Sequence, residues 1–99
     1  MIFVSGVLPF DPVSGDPQHG SLTSEAHRVF QNLALILEAA GSSLDRLVQV
    51  HAMVYDRIEY DMLNRVYQRY VPAGPPARTV WSVQLPYGFR FQAEAVAIA

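Results

Sequence analysis

The chain has 99 residues, 51% hydrophobic and only 16% charged, with a formal net charge of −2. That length supports one domain around one core, and so much apolar side chain predicts a subunit interface as well. The acidic balance leaves no footprint for nucleic acid, and no apolar run approaches the ~20 residues of a membrane span.

The absent residue types narrow the chemistry further. There is no cysteine, which excludes disulfides, thiolate nucleophiles and cysteine metal sites. All seven basic residues are arginine, so no side chain of this chain can form a Schiff base. The start has no basic n-region and reads as a strand rather than a signal peptide. A cytoplasmic protein is the expectation.

In chain order, MIFVSGVLPF reads as an apolar strand interrupted at Ser5-Gly6. Gly6 there marks a bulge or a close backbone approach to a ligand. Asp11 to Ser21 is a loop or loose hairpin turning at Ser14-Gly15. From Thr23 to Ala40 the period becomes helical, with Ala26, Phe30, Leu33, Leu37 and Ala40 on one face and Val29 and Ile36 beside it. Thr23 or Ser24 is the expected cap, and Gly41 the left-handed terminator.

LVQVHAMVY then alternates, with Val48, Val50, Ala52 and Val54 facing helices and Leu47, Gln49, His51, Met53 and Tyr55 opposite. A second helix is expected over Arg57 to Tyr70. Its cap would be a box-like pair, Asp56 and Glu59, and its stripe Ile58, Met62, Val66 and Tyr70. The stretch 71–76, rich in proline and glycine, stops it.

Pro75 to Glu94 reads as a strand, a Leu-Pro-Tyr-Gly turn and a last strand. Arg78, Val80 and Ser82 share one face of the first; Arg90, Gln92, Glu94 and Val96 share one face of the second. The order β(β)–α–β–α–β–β predicts an α+β fold whose two helices cover one sheet face. The other face needs a partner, which again predicts an oligomer.

Arg78 follows a stiff Gly-Pro-Pro lead-in. Its planar fork of donors suits a carboxylate, and a rigid strand would hold it still. Spacing alone leaves carboxylate binding and a surface ion pair evenly matched. His19, His27 and His51 match no metal spacing. Glu94 reads as a buried carboxylate satisfied by backbone donors or an arginine. Trp81 and Tyr87 read as core or interface packing.

VSGVLP, QNLALILEAAGSSLDRLVQV, NRVYQRY, PPARTV and LPYGFRFQAEAVA are collinear and span nearly the whole chain. Together they resemble the RidA family, the YjgF-like reactive intermediate deaminases. The resemblance implies a chorismate mutase-like α+β subunit in a homotrimer, with helices outside and small-ligand clefts between subunits. It also implies cofactor-free hydrolysis of amino-acid-derived enamines or imines to a 2-keto acid and ammonia. In that pattern Arg78 matches the arginine that binds the substrate carboxylate. Asn64 matches an asparagine near the site, acting on Arg78 indirectly, and Ser5-Gly6 matches the backbone lining it.

There are departures. Gln92 stands where the deaminases have the glutamate that orients the attacking water, and Val80 where they have cysteine or another small residue. Val7 replaces a glutamine, and the chain begins about a strand late, without the segment that carries an active-site tyrosine. The expected catalytic residues are Arg78 and Gln92, with Ser5, Gly6, Asn64 and Val80 lining the substrate. The alternatives are a non-catalytic trimeric module for 2-keto acids or amino acids, and a pathway enzyme with another substrate. Ribonuclease activity, also attached to the family, fits an acidic chain least well.

Overall fold

The computed structural model describes residues 1–72 and 74–99, so that Ala73, inside the expected helix stop, lies outside the described residues. The elements are β1 (Ile2–Val7), α1 (Leu22–Ala39), β2 (Leu47–Val54), α2 (Tyr60–Tyr70), β3 (Ala77–Ser82) and β4 (Phe91–Ala97). Short 3-10 turns occupy Leu44–Arg46, Arg57–Glu59 and Pro86–Gly88. The sheet order is β1-β4-β2-β3, with β4 antiparallel to both neighbours and β2 parallel to β3. The fold is α+β, with both helices on one face of a mixed sheet.

The core lies between that face and the helices. Phe30, Leu33 and Leu37 of α1 meet Val50, Ala52 and Val54 of β2 and Phe91, Ala93 and Ala95 of β4. Strict alternation in β4 leaves Gln92, Glu94 and Val96 on the open face. In β2 the alternation slips at the start, where a register irregularity between Leu47 and Gln49 buries Leu47 and exposes Val48.

Four expectations are corrected. The parenthetical second strand is only an isolated bridge, Phe10 to Pro17, so the loose hairpin stands without a true strand. α1 is capped by Ser21, which accepts from the Ser24 N–H at 3.1 Å; helix geometry from Leu22 onward lets Leu22 be wholly buried. α2 presents Leu63, Val66 and Tyr67 inward while Ile58 and Met62 are exposed. The 3-10 turn at Arg57–Glu59 resets the phase, and the α-helix proper starts at Tyr60. Asp56 still caps that turn at the Ile58 N–H, 3.0 Å, but Glu59 turns away to Arg90 at 3.1 Å.

β3 and β4 are not sheet neighbours, because β2 lies between them. The connecting turn therefore spans a strand's width, with Tyr87 (φ 59°) and Gly88 (φ 71°) both left-handed. His19 holds it: Nε2 bonds the Tyr87 carbonyl at 2.7 Å while the ring stacks on Phe89. At the end of α1, Gly41 takes the expected left-handed conformation, φ 81°.

Candidate functional site

Arg78 pairs in register with Val50, so its side chain leaves the helix-covered face at the outer strand of the sheet. There it meets one face of α2, where Tyr60, Asn64 and Tyr67 recur at helical spacing. Arg78 Nη2 donates to Asn64 Oδ1 at 2.7 Å and to the Tyr60 hydroxyl at 3.2 Å. The guanidinium carbon sits 4.6 Å from the Tyr67 ring centre and 5.6 Å from that of Tyr60. Such stacking neutralises part of the cost of half-burying a cation. Asn64 thus holds Arg78 directly, where the sequence suggested an indirect effect.

Among the described residues, no carboxylate pairs with Arg78. The arginine lines a cleft of about 640 Å³ with Asn64, Tyr67, Gln68, Pro72 and Pro76. Burial raises the Tyr67 phenol above its ordinary value, with Arg78 pulling it back down. The cleft therefore contains a fixed, unneutralised cation on an aromatic floor. Val80, two residues along, points the same way but packs against the core.

The other expected residues lie elsewhere. Gln92 pairs with Met53 on the open face, and its amide lies over Gly6, so that a side chain at Gly6 would collide with Nε2. The irregularity between Val4 and Val7 is the bulge expected at Ser5-Gly6. Ser5, Gly6 and Gln92 are brought together; Arg78, Asn64 and Val80 are brought together; the two groups occupy opposite faces of one sheet.

Glu94 is not the buried carboxylate expected. It is about two-fifths exposed on the open face and bonds His51 Nδ1 at 2.9 Å. Trp81 lies beside that pair, its ring centre 5.2 Å from His51's, so His51 and Trp81 do face outward from the sheet. The buried carboxylate is instead Glu25, which accepts from the Gly20 and Arg90 N–H groups at 3.0 and 2.7 Å. Sequence reasoning also missed Tyr60 and Tyr67. The signal was their spacing of four and three residues around Asn64, which the misphased stripe concealed.

A sequence pattern described as endoribonuclease L-PSP matches residues 1–99. The chain belongs to the RidA/YjgF/L-PSP family. Human 2-iminobutanoate/2-iminopropanoate deaminase is 35% identical over 98 residues, 98% of this chain and 72% of that protein. RidA from an Antarctic Psychrobacter superimposes with a TM-score of 0.92 at 32% identity, over 98% of this chain and 79% of that one. Escherichia coli TdcF with bound serine gives 0.88 at 25% identity, also over 98% and 79%. No helix is long and apolar enough to cross a membrane among the described residues.

Proposed function

We propose that this RidA-family chain hydrolyses amino-acid-derived imines or enamines, with Arg78 gripping the substrate carboxylate. The observation that carries the reading is the braced guanidinium without an acidic partner, open to a cleft of about 640 Å³. A charge held in place before the ligand arrives loses little on binding. The human relative's name specifies imino acids, and TdcF holds serine; both ligands carry the carboxylate that Arg78 would take.

In the proposed reaction, water adds to the carbon of the C=N bond and a proton passes to the nitrogen. The carbinolamine then collapses, expelling ammonia and leaving a 2-keto acid. Gln92 can orient the water through its amide but cannot take its proton. A missing general base typically costs about 10²–10⁴ in rate, so slow turnover is expected. Because Arg78 and Gln92 face opposite ways, the complete site forms between copies of the chain. The open sheet face, with Phe3 and Trp81 exposed on it, supplies the contact, and a homotrimer is the assembly proposed.

A second reading is favoured by Gln92 itself: a trimeric module that binds 2-keto acids or amino acids without turning them over. One experiment separates them. An amino acid oxidase generates a 2-imino acid in situ, and its decay is followed with wild type, Arg78→Ala and Gln92→Glu. Faster decay with wild type that is lost in Arg78→Ala supports the deaminase. Decay at the buffer rate, with 2-keto acid binding retained, supports the module.

A further inference from the structure

The arginine that should grip a carboxylate has its fork already occupied. A guanidinium offers two edges for bidentate pairing, Nε with Nη2 and Nη1 with Nη2, and each edge uses one of the two Nη2 hydrogens. Arg78 Nη2 already donates to two acceptors, as many as it has hydrogens: Asn64 Oδ1 at 2.7 Å and the Tyr60 hydroxyl at 3.2 Å. A bidentate carboxylate must therefore displace one of them.

The two bonds are unequal. The Asn64 bond is shorter and part-buried, whereas Tyr60 is 43% exposed at the first turn of α2. The Tyr60 hydroxyl can exchange Arg78 for water at little cost, while the Asn64 carbonyl would lose a charged donor in a half-closed cleft. Releasing Asn64 would also free the guanidinium from its brace. Only Tyr60 can let go without spoiling the aim.

We infer that the Tyr60 hydroxyl is a place-holder on Arg78, bonded in the empty site and displaced when a ligand carboxylate closes on the freed edge. The inference rests on the carboxylate-binding role proposed for Arg78. Tyr60 is thus a specificity residue that acts through the arginine. Ligands able to form two parallel charged hydrogen bonds can evict it, whereas amides and neutral carbonyl compounds, offering one weaker acceptor, cannot. The site is thereby biased toward free carboxylates over the neutral carbonyl compounds of a cell.

The test uses pyruvate, the keto acid left by 2-iminopropanoate, and its neutral amide, titrated calorimetrically into wild type, Tyr60→Phe and Arg78→Ala. The phenylalanine keeps the ring beside the arginine and removes only the competing oxygen. Removing one hydrogen bond of ordinary net strength predicts pyruvate binding about threefold to tenfold tighter in Tyr60→Phe. Pyruvamide binding should not tighten. In the oxidase-coupled assay the same variant should lower KM and leave kcat unchanged, a split that a merely structural tyrosine would not produce. Unchanged or weaker pyruvate binding in Tyr60→Phe, with Arg78→Ala still abolishing it, overturns the place-holder and leaves the arginine's role standing. Wild type that binds no pyruvate, or Arg78→Ala that binds it equally well, overturns both.

Discussion

Arg78 and Gln92 leave the same sheet in opposite directions, the one paired with Val50 toward the helices and the other with Met53 toward the open face. No rotamer can bring them around one small substrate within a single copy. If they act together, each site takes its arginine from one subunit and its glutamine from another. Mixing Arg78→Ala with Gln92→Ala chains, each crippled alone, should then restore activity. Random assembly gives about one quarter of sites with both halves intact. Reassembled mixtures that stay inactive would mean that no site combines the arginine of one chain with the glutamine of another, and light scattering on the same samples reports whether three chains associate.

Replacing Gln92 with glutamate should raise imine hydrolysis about tenfold to a hundredfold, because a carboxylate beside Gly6 can take the proton that an amide cannot. The gain carries a pH signature. A base must be ionised, so the variant's rate should fall as pH drops toward the ordinary glutamate value of ~4.3, while wild type shows no such limb. Rate profiles of both proteins between pH 4 and 8 test this directly, and a variant no faster than wild type would remove Gln92 from the chemistry.

The sequence exposes most of this architecture because its signals are local. Alternation in β4 puts Gln92 and Glu94 on one face, and the structure turns that face away from the core-facing Phe91, Ala93 and Ala95. What it cannot show is which strands lie side by side. Pro75 to Glu94 looks like two strands joined at a turn, but β2 lies between them, and the phase of each strand turns Arg78 toward the helices and Gln92 toward the open face. Val66 and Tyr70 of the α2 stripe do pack inward, but Ile58 sits in a 3-10 turn ahead of the helix and Met62 is exposed, so that Leu63 and Tyr67 complete the buried face instead. Glu25 escaped notice because a lone acid in a first helical turn ordinarily faces solvent.

Gly6 separates folding from function cleanly. Its backbone is not in the left-handed region, and the atom that a new methyl would strike is the far end of the Gln92 side chain. Gly6→Ala should therefore cost less than about 1 kcal/mol of stability, since a flexible amide can move aside. Moving it would take Gln92 out of the water-holding position proposed for it. A variant with unchanged urea midpoint and activity reduced about tenfold or more is expected; full activity would show that Gln92 does not need its place over Gly6.

Glu25 makes the opposite prediction. Its carboxylate satisfies the Gly20 and Arg90 backbone N–H groups from a site 1% exposed, tying the lead-in to α1 to the start of the last strand. Glu25→Ala strands both donors and should cost about 2–4 kcal/mol in urea unfolding. Loosening at Arg90 should also show as faster amide exchange through the Pro86–Gly88 turn. Exchange that is unaffected there would confine the role of Glu25 to its own helix.

Tyr67 holds the arginine with its ring and has no use for its hydroxyl. The oxygen is buried and meets no hydrogen-bond partner among the described residues. Tyr67→Phe keeps the surface under Arg78 and removes an unsatisfied polar atom, so stability should rise by about 1 kcal/mol and pyruvate binding should hold. Tyr67→Leu, without a ring face, should weaken that binding. The alkaline limb gives an independent check. Burial raises the folded phenol above the 10.0 of a free one, so the unfolded chain ionises first. Stability is then fully present below pH 10.0 and is lost as pH rises toward the folded value. Tyr67→Phe should flatten that decline; an equally steep loss in the variant would assign it to another group.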